Sequence, residues 1–131
     1  MYSYRQLKTF QKSILTLRAS KFLSFDDRMK LREASDEIST LLDKCDAAIG
    51  RAKEVYNELK PLQENDSKSI KKLLEERDAA IDEVLNGMHQ INGIKPIDHD
   101  IDKYKGNTQS DITYRQCICE LEGIFLNVVA Q

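Results

Sequence analysis

Three aspartates at alternate positions, Asp98, Asp100 and Asp102, are the side chains of this chain best suited to holding a cation. Hard divalent cations take oxygen ligands, and alternate positions of a tight loop can converge on one ion. A calcium loop counted from Asp98 requires Gly at its sixth position and a bidentate Glu at its twelfth. Those positions carry Lys103 and Gln109, so both the turn and the strongest ligand are missing. The three aspartates are therefore candidate ligands for calcium or magnesium, set against the plainer reading of a solvated acidic loop.

His99 beside Asp100 is similar to the His-Asp pair of metal-dependent phosphohydrolases, but such sites draw further His and Asp ligands from separate helices. The one other histidine is His89. Glu33 with Asp36, and Glu75 with Asp78, are acid pairs one helical turn apart. Helical pyrophosphatases hold magnesium between comparable pairs, although any acid-rich helix generates such spacing unaided. The chain has no Gly-rich phosphate loop, no zinc-ligand spacing, and no serine or cysteine with a convincing base nearby in sequence. Cys117 and Cys119, two apart in a predicted helix, point to nearly opposite faces. The expectation is a non-enzymatic protein with no catalytic residue and no cofactor, a metal-dependent hydrolase being the third reading considered.

Charge offers a different chemistry. The formal net charge is −2, but residues 1–25 carry +5 with no acid, leaving −7 for the remainder. Arg5, Lys8, Lys12 and Arg18, with Arg77 from a later helix, are candidate ligands for a nucleotide, a nucleic acid or another anion. Tyr2 and Tyr4 lie beside them and could stack on a base. The alternative is an intramolecular or subunit contact between a basic first helix and acidic neighbours.

Helices must position all of these groups. Leu31, Ala34, Ile38, Leu41, Cys45, Ala48, Ala52, Val55 and Leu59 recur at alternating steps of three and four, which predicts a long helix over residues 25–60. Ser24 reads as its N-cap and Pro61 as its stop. At 1.5 Å per residue it would be roughly 54 Å long, against a diameter of about 36 Å for a spherical fold of this chain length. One end must project, or the whole fold must be elongated. Similar periodicity predicts helices over residues 3–20, 67–92 and 111–130, and an irregular loop over 94–109.

The expected fold is therefore all-α: one domain, an elongated, mainly antiparallel four-helix bundle with a long second helix. Its expected role is a helical interaction protein that binds another protein or self-associates. Expected interface positions are the small residues Ala34, Ala48 and Ala52, together with Phe125 and Val128 in an almost uncharged end of the last helix. No apolar run approaches the roughly 18 residues that would span a membrane, and residues 1–12 lack the apolar core of a signal peptide. Three irregularly spaced cysteines suit a reducing, cytoplasmic setting, such as that of a bacterial or phage accessory protein.

Overall fold

Each helix begins at a side-chain oxygen supplied by the local sequence. The computed structural model describes residues 1–63 and 65–129. In α1 (Tyr4–Leu17), Ser3 Oγ accepts from the Gln6 N–H at 3.3 Å, and Gln6 Oε1 accepts from the Ser3 N–H at 2.8 Å, a complete capping box. Ser24 caps α2 (Phe25–Leu59) through the Asp27 N–H at 3.1 Å. Asp66 caps α3 (Ser67–Asn86), and Thr108 caps α4 (Gln109–Leu121). Each cap satisfies amide groups that have no partner within the helix.

The chain is mostly helical, but the described residues also include four short strands. β1 (Tyr2–Ser3) pairs antiparallel with β2 (Met88–His89), tying the first residues to the end of α3. β3 (Ile97–Asp100) and β4 (Leu126–Val129) run parallel, with Ile97 opposite Leu126. Parallel strands need a long crossover, supplied here by a 3-10 turn (Ile101–Tyr104) and α4.

Burial defines the body of the molecule. Leu7, Phe10, Ile14 and Leu17 of α1 meet Leu31, Ala34, Ile38 and Leu42 of α2 in one apolar core. Ile118 and Leu121 of α4, Ile97 of β3, Leu126 of β4, Phe125 and Tyr104 complete it. α1 packs against both α2 and α4, whereas α3 packs chiefly along α2 and has no buried residue.

Several expected elements take a different form. The third helix ends at Asn86, not at residue 92, because Gly87 and the pairing of Met88–His89 with Tyr2–Ser3 draw the backbone into extended geometry. The fourth ends at Leu121 rather than near residue 130. Gly123 adopts φ +79°, and the following apolar run pairs as β4. Short apolar runs fit a strand as well as a helix, and periodicity alone does not separate them. Ala130, the expected last helical residue, lies outside the described residues. The region expected to be an irregular loop contains β3 and the 3-10 turn, so the fold is not purely α. The segment before it is pinned to α2 by Glu37, whose carboxylate accepts from the backbone N–H groups of Asn92 at 2.7 Å and Gly93 at 2.9 Å.

Neighbouring residues on α1 provide a test of this packing. Ile14 is fully buried and Leu15 is 55% exposed. Ile14→Ala should lower the unfolding free energy by about 2–5 kcal/mol and Leu15→Ala by less than about 1 kcal/mol. Urea denaturation measures both, and equal losses would contradict the face assigned to the core.

Candidate interaction surface

The seam of α2 continues beyond its cover. Its buried residues end at Cys45, whereas the same helical face goes on through Ala48, Ala52, Val55 and Leu59. Beyond Cys45 this face packs chiefly along α3, and the two helices form an arm with a groove along one side. The groove encloses about 430 Å³ and is lined from α2 by Ala48, Arg51, Ala52, Val55, Tyr56 and Leu59. α3 contributes Leu73, Glu76, Arg77, Ala80 and Val84. Most of this lining is apolar, and Val55 is 52% exposed. An apolar face of this kind, bordered by charge, is the usual character of a contact surface.

Arg77 occupies a position where the periodicity calls for an apolar side chain. Its guanidinium lies 4.6 Å from the centre of the Tyr56 ring, and its Nη2 is 3.0 Å from Asp78 Oδ1. The stacked cation therefore serves as part of the groove wall. At the body end, a shallower hollow is lined by Lys44, Cys45, Ala48, Glu83, Val84, Gly87 and His89. Cys45 Sγ is 3.4 Å from His89 Nε2 there, but burial pushes the thiol pKa up, away from the reactive thiolate. At the far end the chain turns through a 3-10 segment (Lys60–Gln63), where Leu62 is 78% exposed.

The expected interface positions divide. Ala48 and Ala52 line the groove. Ala34 and Phe125 are 3% and 1% exposed, covered by α1 and the rest of the core, so they are not open to a partner. Val128 is half-buried against that core. Within the apolar run that implied an outside partner, Phe125 and Leu126 are covered by the chain's own core, and β4 pairs with β3.

The expected anion ligands divide as well. Arg5, Lys8 and Lys12 are exposed along α1, and the Lys8 ammonium lies 5.4 Å from the Tyr4 ring centre. The Tyr4 hydroxyl donates to Asp46 Oδ1 at 2.7 Å, and the Tyr2 ring packs edge-on against Phe10 at 5.1 Å, so both tyrosines have internal contacts. Arg18 is half-buried at the opposite end of α1, and Arg77 belongs to the arm.

The three aspartates do not converge. Asp98 and Asp100 lie on a strand, and Asp102 on the 3-10 turn after it. Asp98 accepts from Asn127 at 3.2 Å, Asp100 accepts from the Asp102 N–H at 2.8 Å, and Asp102 lies 3.7 Å from Lys105 Nζ. Among the described residues, no three His, Cys, Asp or Glu side chains are gathered as a metal ion would need.

A buried polar chain joins residues that sequence reasoning kept apart. His99 Nε2 is 2.7 Å from the Tyr104 hydroxyl, which in turn bonds the Ser20 hydroxyl. Arg28 donates to the Ser20 carbonyl at 2.6 Å, and Arg115 donates to the carbonyls of Tyr104 and Gly106. The alternation along β3, with Ile97 and His99 buried and Asp98 exposed, is the signal that places the imidazole inward. Ser20, Tyr104 and His99 are all buried, so these groups serve to join the α1–α2 connection to β3 and the 3-10 turn.

Burial also sets the titration of His99. Desolvation holds its imidazole below the ordinary 6.5, with nearby Asp27 and Asp100 partly opposing the shift. The unfolded chain therefore binds this proton more readily than the folded one. The contribution to stability is complete above about pH 6.5 and is lost as pH falls from there, at no more than about 1.4 kcal/mol per pH unit. Urea denaturation from pH 7.5 to pH 5 should show this decline, and His99→Gln should flatten it. An equal slope in the variant would remove His99 as the cause.

Comparison with protein-family models, with curated proteins and with solved structures gives no match.

Proposed function

We propose that this is a non-catalytic interaction protein whose α2–α3 arm receives a helical partner, either another protein or a second copy, in its apolar groove. One observation carries the reading: the α2 seam keeps its apolar character past Cys45, where α3 shields one side and no α2 residue is fully buried. An amphipathic helix laid into the groove would bury the remaining face. On this reading the arm supplies two helices of an antiparallel four-helix bundle and the partner supplies the remainder. The small side chains of Ala48, Ala52 and Ala80 allow close approach of the partner backbone. Among the described residues no helix is long and apolar enough to cross a membrane, and three free cysteines suit a reducing cytoplasm.

A photo-crosslinking side chain placed at Val55 should, in cells, form one discrete adduct with a polypeptide. The same group at Lys53, an exposed position that does not line the groove, should form none. Ala52→Glu should abolish the Val55 adduct by setting a charge in the apolar floor. Equal labelling from the two positions would count against the groove.

A second reading rests on the row of Arg5, Lys8 and Lys12, three exposed cations at helical spacing on α1. It predicts binding of a polyanion that weakens steeply with added salt and is lost in Arg5→Glu/Lys8→Glu. Fluorescence anisotropy with a labelled oligonucleotide tests it, and unchanged binding by that variant would dispose of it.

A further inference from the structure

We infer that the occupant of the groove is a second copy of this chain, docked antiparallel about a two-fold axis that crosses the arm at the level of Tyr56 and Arg77. The inference rests on the groove being an interaction surface and adds the partner's identity and orientation.

The charges on the groove's two lips carry it. On α2 Arg51 lines the groove, and Glu58 follows two helical turns later on the same helical face. On α3 Glu76 lines it, with Lys72 one turn before on the same face and Glu83, which flanks the hollow at the body end, two turns after. Arg51, Glu58, Lys72 and Glu83 are all exposed. The ion pairs among the described residues are Arg77–Asp78, Lys95–Glu33 and Lys105–Asp102, none of which uses these four.

The midpoints of the two lips coincide. Halfway from Arg51 to Glu58 lies just before Val55, and halfway from Lys72 to Glu83 lies just after Arg77. Arg77 stacks on Tyr56, so both midpoints fall at one level of the arm. A two-fold axis at that level, running across both helices, lays α2 on α2 and α3 on α3, antiparallel. Arg51 then faces Glu58 of the second copy, Lys72 faces Glu83 of the second copy, and each contact occurs twice. This is the self-complementarity that an isologous interface requires. A two-fold axis along the arm would instead lay α2 on α3 of the second copy and bring the two bodies side by side. An unrelated helix would impose no such symmetry on the lips.

The ends of the arm agree with the same axis. Leu62, exposed at the tip, lies as far beyond the α2 midpoint as Ala47 lies before it. It therefore arrives at the hollow beside Cys45 and Ala48 of the second copy. The body of each copy, with α2 buried up to Cys45, begins where the other arm has already ended.

Sedimentation velocity of the full chain over about a hundredfold range of concentration is the test. The wild type should move from monomer to dimer. Arg51→Glu/Lys72→Glu and Glu58→Arg/Glu83→Lys each place like charges opposite one another and should weaken self-association by at least about tenfold. Mixing the two variants restores opposite charges and should restore the dimer, which also shows that neither variant is merely misfolded. A wild-type monomer throughout would overturn the second copy as occupant. If Val55 then crosslinks to a different polypeptide, the groove remains an interaction surface. A dimer unaffected by both variants, or a mixture that fails to recover, would overturn the antiparallel geometry.

Discussion

Leu31, Ala34, Ile38 and Leu42 are buried because α1, backed by α4, lies over that part of α2, and every other element of the body is placed by this contact. The covering helix α1 has 14 residues and α2 has 35, roughly 21 Å against roughly 52 Å. A cover so much shorter than the helix beneath it cannot bury the whole seam. The arm follows directly: α3 returns along the uncovered half of α2, shields one side and leaves the other as a groove. Two helices side by side bury little, and α3 accordingly has no buried residue.

The body is closed at its edges by polar contacts where no helical ladder is available. Glu37 holds the backbone at Asn92 and Gly93, Arg28 holds the α1–α2 connection at Ser20, and Arg115 holds the turn at Tyr104 and Gly106. The Ser20–Tyr104–His99 chain joins two of these points inside the core. The Ser20 and Tyr104 hydroxyls and the His99 Nε2 bond one another there, as buried polar groups require. The body is in this way specified by a few directional bonds, while the arm is left to apolar packing and exposed charge.

In the proposed dimer, self-complementary charge on the arm would give that division a physical purpose. Weak surface pairs add little to affinity one at a time. Repeated by symmetry around an apolar floor, they would set the register of the two copies.

The four helices and their starts follow from the sequence, because caps and periodicity are local. Ser24 with Asp27, Asp66, and Thr108 with Asp111 are visible as start signals, and the nine-position seam of α2 needs only a count of residues. The excess length of α2 was legible in the same way, with projection of one end and an elongated fold left as alternatives. Other features required distant pairing. Met88–His89 leaves the helical path because Tyr2–Ser3 is there to pair with it, and the run after Gly123 becomes a strand because Ile97–Asp100 lies alongside. Each segment is compatible with helix on its own, and long-range hydrogen bonds decide the matter. Ala34 and Ala52 occupy equivalent places in one pattern, yet α1 covers the first and leaves the second at the groove. Periodicity determines which face of a helix is apolar; only the lengths and positions of the other elements determine how much of that face remains for a partner.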